Sequence, residues 1–413
     1  MKRYLLPGLL LAFLLSVGDV PRAAAQNFPA PDTSGGRYYQ PIFAGVTVTR
    51  DVVYGNAPTF QGAAQTLLLD VYEPAGDAEA RRPLLIFAHQ GGFLAGTRAD
   101  PYMVAICTRM ARLGYVAASI EYRLGFPLTG FAQPADTPGV ARAAIRATQD
   151  LRAAVRFFRQ DAATSRAYRI HPNYIMVGGS SAGAFAALAV GYLDKPGEVP
   201  AYVDLPSLGG LEGSGGNPGF SSAVAAVLNL SGATESPSLI EAGNAPLCSV
   251  HGTRDLTVPY LQGRIGSLLP PKYVFGSGRL HPRATAVGVR NTLRTLRGVG
   301  HVPFESNAAY ADTTFWTLRD FLRPVLRLSG TLLAARPAAS AASVAQTYPL
   351  PADDEVRLDL PPAWPALGPA DLCDATGRVV PAGATLRLPR AGLPAGVYFL
   401  RFSGQPAVRV VWL

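Results

Sequence analysis

Lysine is almost missing from this chain: of 413 residues, only Lys2, Lys195 and Lys272 supply it. The formal net charge of +9 therefore rests on arginine. The arginines are scattered rather than gathered on one stripe, which argues against a nucleic-acid partner. Charge of either sign is scarce as well, 16% of residues against 48% hydrophobic, and that balance excludes a disordered chain. Cysteine is the third shortage. Cys107, Cys248 and Cys373 are too few for a disulfide framework, and their spacing fits no metal-ligand pattern. Cys107 falls in a helical pattern and Cys248 in a strand pattern, positions suited to a buried, inert thiol. Beyond the first residues, no apolar run is long enough to cross a bilayer.

The chain opens with Met1-Lys2-Arg3, an apolar run from Tyr4 to Val17, and Ala23-Ala24-Ala25. A basic start, a short apolar core and a small-residue end predict a cleavable secretory leader over residues 1–25. Val46–Tyr54 and Thr66–Tyr72 alternate apolar and polar positions, as antiparallel strands do. Leu84-Leu85-Ile86-Phe87-Ala88 is instead continuously apolar, the mark of a strand covered on both faces. Met103–Leu113 and Gly139–Gln160 read as helices, with strands at Val116–Glu121 and Tyr174–Val177. Residues 195–222 are rich in Pro and Gly and read as a loop or lid inserted after an Ala-rich helix. Strands at Val224–Leu230, Leu247–Val250 and within Ala284–Leu296 precede a helix at Phe315–Leu326. Strands alternating with helices predict an α/β fold, a parallel sheet covered by helices on both faces over residues 26–328. An Ala/Ser/Pro linker (329–346) and short alternating segments between Pro-Gly turns (347–413) predict a second, all-β sandwich domain.

Gly179-Ser180-Ser181-Ala182-Gly183 lies between the Tyr174–Val177 strand and the Ala-rich run. It fits Gly-x-Ser-x-Gly, a strand-to-helix turn that holds a serine hydroxyl proud of a sheet. Of the two serines, only Ser181 has a glycine two residues away on each side. A serine hydroxyl needs a base to take its proton and a carboxylate to orient that base. His301, in the Gly-flanked loop Gly298–Phe304, is the base candidate. His89 and His251 stand at strand ends before glycine, where a histidine braces a loop. His171 and His281, each before proline, read as surface or turn residues. Asp255 follows the Leu247–Val250 strand and is the acid candidate. Its alternative role is to cap a helix at Val258, and Glu235 is the rival acid one strand earlier. Gly91, Gly92 and Ala182 are placed to offer backbone amides to a developing oxyanion. No metal or cofactor is required by this set.

Residues about 46–327 resemble the α/β-hydrolase superfamily, nearest its carboxylesterases and acetyl- or feruloyl-esterases. The resemblance is carried by His89-Gln90-Gly91-Gly92-Phe93, Glu121-Tyr122-Arg123-Leu124, Gln149 to Arg156, Gly178 to Gly183, and the Asp255 and His301 segments. Gln90 departs from the pattern, which usually has glycine there. The resemblance implies Ser181 as nucleophile, Asp255 as acid, His301 as base and Gly91, Gly92 and Ala182 as oxyanion donors. It implies a serine hydrolase of carboxylic esters, acting on a small-molecule or polysaccharide-linked ester. A lipase or peptidase of the same superfamily is the alternative, and an inactive binding protein on a hydrolase scaffold is the alternative of another class. Residues 347–413 resemble the sorting domain of the Bacteroidetes type IX secretion pathway. The matching segments are Tyr348 to Ala352, Asp374 to Arg378, Leu393 to Tyr398 and Val408 to Val411. That implies the type IX machinery as a partner and an extracellular or cell-surface location.

Overall fold

The computed structural model describes residues 28–127, 137–266 and 272–327, and the backbone of short strands between residues 346 and 412. The expected leader, and all but the last residue of the expected linker, lie outside the described residues, as does the side chain of Cys373. The chain divides into two compact units, residues 1–336 and 337–413.

In the first unit the elements run β1 (Val46–Pro58), β2 (Ala64–Pro74), β3 (Arg82–Ala88), α1 (Pro101–Arg112), β4 (Val116–Ile120), α2 (Thr137–Ala163), β5 (Ile170–Ser180) and α3 (Ala182–Tyr192). They continue through β6 (Val227–Leu230), β7 (Ala233–Thr234), β8 (Leu247–Gly252), β9 (Gln262–Arg264), β10 (Tyr273–Gly276), α4 (Ser277–Ala286), β11 (Asn291–Leu296) and α5 (Ala308–Val325). Eight strands form one sheet in the order β1-β2-β4-β3-β5-β6-β8-β11. The β1/β2 and β2/β4 pairs are antiparallel, and the rest of the sheet is parallel. Strands β7, β10 and β9 make a separate antiparallel ribbon.

Alternate residues of the central strands serve two cores. Leu84 and Ile86 of β3 and Ile175 and Val177 of β5 pack with α2, α3 and α4, whereas Leu85, Phe87, Tyr174 and Met176 pack with α1 and α5. This division explains the unbroken apolar runs: both strand faces are covered, so neither can be polar. The fold is that of an α/β-hydrolase sheet. From β3 the chain crosses by α1 to β4 on one side and then by α2 to β5 on the other. The β3/β5 boundary is therefore the topological switch point, and ligands bind at the carboxyl ends of such strands. Gly91 and Gly92 follow β3, and Ser181 follows β5.

Residues 195–222 contain short 3-10 turns at Pro196–Glu198 and Pro206–Leu208. Side chains of α2 pin this insertion through its backbone. The Gln149 amide donates to the carbonyls of Leu208 (2.8 Å) and Gly210 (2.6 Å). The buried Arg152 guanidinium donates to Leu211 O (2.6 Å) and to Leu193 O (2.5 Å), just ahead of the insertion. Arg156 donates to Gly216 O (3.0 Å) and pairs with Glu212 (2.5 Å). The insertion is thus a wall rather than a free lid. Arg152→Met should leave those carbonyls without a partner, at about 1–3 kcal/mol for each that stays buried. Scanning calorimetry should read a melting temperature lower by roughly 5–10 °C; an unchanged midpoint would mean that Arg152 does not hold the wall.

Three expectations are corrected here. His171 and His281 are buried, not surface residues. The His171 ring packs edge-on against Phe28 and Tyr174, and His281 lies inside α4, which continues through Pro282. No helix forms at Val258: residues 255–261 turn tightly and lead into β9. In the second unit, Gln346–Pro349, Glu355–Asp359 and Arg387–Pro389 form one antiparallel group. Val379–Val380, Asp371–Asp374, Gly396–Arg401 and Val408–Trp412 form another.

Candidate active site

Ser181 sits alone between the end of β5 and the start of α3, with φ +50° and ψ −115°. That left-handed backbone costs a serine roughly 1–3 kcal/mol and persists only where the surroundings enforce it. Both flanking glycines are part of that enforcement. A Cβ on Gly179 would lie 2.3 Å from the carbonyl carbon of Gly183, and a Cβ on Gly183 would lie 2.1 Å from the carbonyl oxygen of Ala88 in β3. Only glycine lets the turn close and seat against its neighbour strand. Ala182 is the first residue of α3, where backbone N–H groups have no partner within the helix and the positive end of its dipole lies.

The Ser181 hydroxyl donates to Nε2 of His301 (2.8 Å), and Nδ1–H of His301 donates to Oδ2 of Asp255 (2.7 Å). A carboxylate only accepts, so Asp255 fixes the tautomer that leaves Nε2 free to receive a proton. The two loops that carry His301 and Asp255 are joined through their backbones. Thr253 N–H donates to Leu296 O and Arg254 N–H to Val299 O, both 2.9 Å, and Gly298 N–H donates to Thr253 Oγ1 at 2.8 Å. His301 and Asp255 therefore share one rigid mount at the carboxyl ends of β8 and β11.

Asp255 is the acceptor for four donors. Its Oδ1 receives Thr257 N–H (2.9 Å) and Val258 N–H (2.8 Å), which takes the place of the expected helix cap. Its Oδ2 receives His301 and also Nε2–H of His251, at 3.2 Å. Burial raises the Asp255 pKa, but the hydrogen bonds from His251 and His301 and the His301 charge outweigh burial and hold the carboxyl at about 2. His251 is fixed in turn: Nε2 also reaches Val258 O (3.0 Å), and Nδ1 accepts from the Ser277 hydroxyl (2.9 Å). From sequence His251 is a loop brace; the one sign of its contact with Asp255 is the four-residue spacing between them at one strand end.

Glu235 does not reach His301. It pairs with Lys272 Nζ (2.5 Å), which also donates to the Tyr202 hydroxyl of the insertion. Ser180, the neighbour of Ser181, is buried and donates to Glu305, which no sequence motif marks. Burial, above its other influences, raises the Glu305 pKa. Its position four residues after His301 is the only mark it leaves in the sequence.

The loop after β3 is also braced. Gly91 has φ +117°, and a Cβ there would lie 2.0 Å from Ala95 O. Gln90, where the resemblance has glycine, donates through Nε2 to Asp100 at the head of α1 (3.0 Å). His89 stacks on Tyr122, whose hydroxyl donates to His89 O (2.9 Å). Gly91, Gly92 and Ala182 line one cavity of about 350 Å3 together with Ser181 and His301. Among the described residues, no group of three or more His, Cys, Asp or Glu side chains is arranged to hold a metal ion. Cys107 and Cys248 are free and buried, and burial pushes both thiols well up. No helix among the described residues is long and apolar enough to cross a membrane.

No curated protein sequence matches the chain. Solved structures of Thermogutta terrifontis esterase 2 superpose on 71% of it. The paraoxon-phosphorylated and propionate-bound forms each have 22% identity, 97% of their own length covered and a TM-score of 0.47. The apo form has 21% identity, 98% of its length covered and a TM-score of 0.48. Residues 69–239 match the family model described as BD-FAE. That span holds Gly91, Gly92, Ser181 and Ala182 and ends before Asp255 and His301. By its sheet order the chain has the α/β-hydrolase fold, and its segment from β2 to just past β7 is similar to BD-FAE.

Proposed function

We propose that this chain is a serine esterase, cleaving carboxylic esters through an acyl-enzyme on Ser181. The observation that carries the reading is the hydrogen-bonded series Ser181–His301–Asp255 at a left-handed turn above an apolar cavity. As Ser181 Oγ attacks the ester carbonyl, its proton passes to His301 Nε2. Asp255 then faces an imidazolium across a charge-assisted hydrogen bond. Negative charge grows on the carbonyl oxygen, where the amides of Ala182 and of the Gly91-Gly92 loop are the donors we assign; each such donor contributes about 2.7–4 kcal/mol. Collapse expels the alcohol, which takes the proton from His301, and water releases the acid by the same steps in reverse. The test is a panel of acetyl, longer-chain and feruloyl esters with Ser181→Ala as blank. Hydrolysis by the wild type alone supports the reading. Equal rates for the two proteins would remove Ser181 from the chemistry.

We also propose that the chain is exported and sorted to the cell surface by type IX machinery. The basic and apolar opening over residues 1–25 and the four segments between Tyr348 and Val411 support this. In a host with that pathway, removing residues 347–413 should leave the product in the periplasm. Surface display of the truncated chain would contradict it.

A further inference from the structure

The cavity at Ser181 has an uneven chemistry. Ser181 and His301 mark its polar reaction centre, and apart from a few threonines and the charged Glu198, Glu235 and Lys272 most of the remaining lining is apolar. Val140 and Ala144 of α2 and Phe185 and Ala189 of α3 make two walls, and Val199 and Val203 of the insertion make a third. The α3 wall begins at the nucleophile itself. Residues 182, 185 and 189 follow one another at helical spacing along one face, and all three line the cavity with Ser181, which gives a group bound to Ser181 Oγ an apolar surface to lie on. The third wall is built in advance. Val199, Val203 and Leu205 bury together with Ile145 of α2 and Leu193, behind the backbone clamps from Gln149, Arg152 and Arg156. Lys272, just ahead of β10, ties the insertion to Glu235 by pairing with that carboxylate and donating to the Tyr202 hydroxyl. The cavity is therefore open to a ligand without any movement of residues 195–222. His301 has a side chain 19% exposed, so the alcohol it protonates has a route to solvent, while the acyl group stays covalently held above α3.

We infer that the preferred substrates are dissolved esters of medium-length aliphatic acids, their acyl chains lying between α2, α3 and the fixed insertion. The inference rests on the esterase reading of Ser181. A cavity at the small end of the ~300–1,000 Å3 range of ligand pockets suits an acyl chain of roughly six to ten carbons.

The experiment is kcat/KM for p-nitrophenyl esters from acetate to dodecanoate, with a feruloyl ester alongside. Each added methylene that leaves water should raise kcat/KM about threefold to fourfold. Hexanoate should then exceed acetate on the order of a hundredfold, with a decline beyond about ten carbons. The rate should follow dissolved ester with no upward step at its solubility limit. Ala189→Leu and Ala144→Leu both keep strong helix formers and fill the cavity from two sides. Each should lower the octanoate-to-acetate ratio at least tenfold, with circular dichroism confirming the fold. A flat or falling series, a feruloyl ester preferred over hexanoate, or ratios unmoved in both variants would overturn the inference. A step at the solubility limit would overturn the fixed wall. Loss of turnover on every ester, with Ser181 inert to a fluorophosphonate, would instead overturn the esterase reading on which it rests.

Discussion

Replacing Ser181 by alanine should lower ester hydrolysis by at least about 10⁴-fold while leaving the protein folded. Deleting one hydroxyl removes both the proposed nucleophile and the proton donated to His301 Nε2 across 2.8 Å. The loss should fall on kcat, because the cavity walls and the backbone at Gly91, Gly92 and Ala182 are untouched and ground-state binding persists. Ser180 cannot substitute for it. Its hydroxyl is buried and committed to Glu305. Ser180→Ala is accordingly the informative control. It should cost far less activity, and a collapse equal to that of Ser181→Ala would mean that the turn was assigned to the wrong serine.

Asp255→Asn should lower kcat by about 10³- to 10⁴-fold. The cause lies in the four donors that Asp255 accepts. An amide offers one oxygen and a pair of N–H groups, so at least one of its N–H groups must face a donor. The relief open to His301 is to move its proton from Nδ1 to Nε2, and that tautomer points a proton at Ser181 and cannot accept one. Glu235→Gln, by contrast, only weakens an ion pair with Lys272 and should cost less than tenfold. The reverse ranking would reassign the acid. The same residue sets an acid-stability window. Its folded pKa, about 2, lies below the ~3.9 of an unfolded aspartate. Its contribution is therefore full above the unfolded value and is lost as pH falls through the folded one. The melting-temperature gap between wild type and Asp255→Asn should be level from neutral pH to about 5, shrink below about 4 and be nearly closed by about 2. A gap that widened in acid would contradict the assigned pKa.

Much of the site was legible because its chemistry is coupled to chain geometry. Leu84–Ala88 is apolar at every position since both faces of β3 are covered, and Gly179 and Gly183 are glycine since a Cβ at either would strike backbone. Asp255 and His301 stand out because each follows a parallel strand, whose carboxyl end faces the ligand. What stayed hidden depends on partners distant in sequence. His171 looked like a turn residue before proline, but it is covered by Phe28 and accepted by the Pro29 carbonyl (3.0 Å) from the other end of the unit. His281 looked like a polar loop, although Asn291 satisfies its Nδ1 within a packed helix. The insertion reads as a loop or lid because its sequence is rich in Pro and Gly. Its anchors are backbone carbonyls bonded by Gln149, Arg152 and Arg156, and a carbonyl leaves no trace in residue type. The helix expected at Val258 failed for a local reason. The Asp255 carboxylate captures the N–H groups of Thr257 and Val258 while serving two histidines, and Pro259 follows at once.

The proposed mechanism requires that Ser181, and no other hydroxyl, be activated. The direct measurement is peptide mapping by mass spectrometry after exposure to a fluorophosphonate, on wild type and on His301→Gln. One adduct per chain is expected, on the peptide containing Ser181, with strongly slowed labelling when His301 is replaced. An adduct on a different residue, or labelling at full rate without His301, would contradict it.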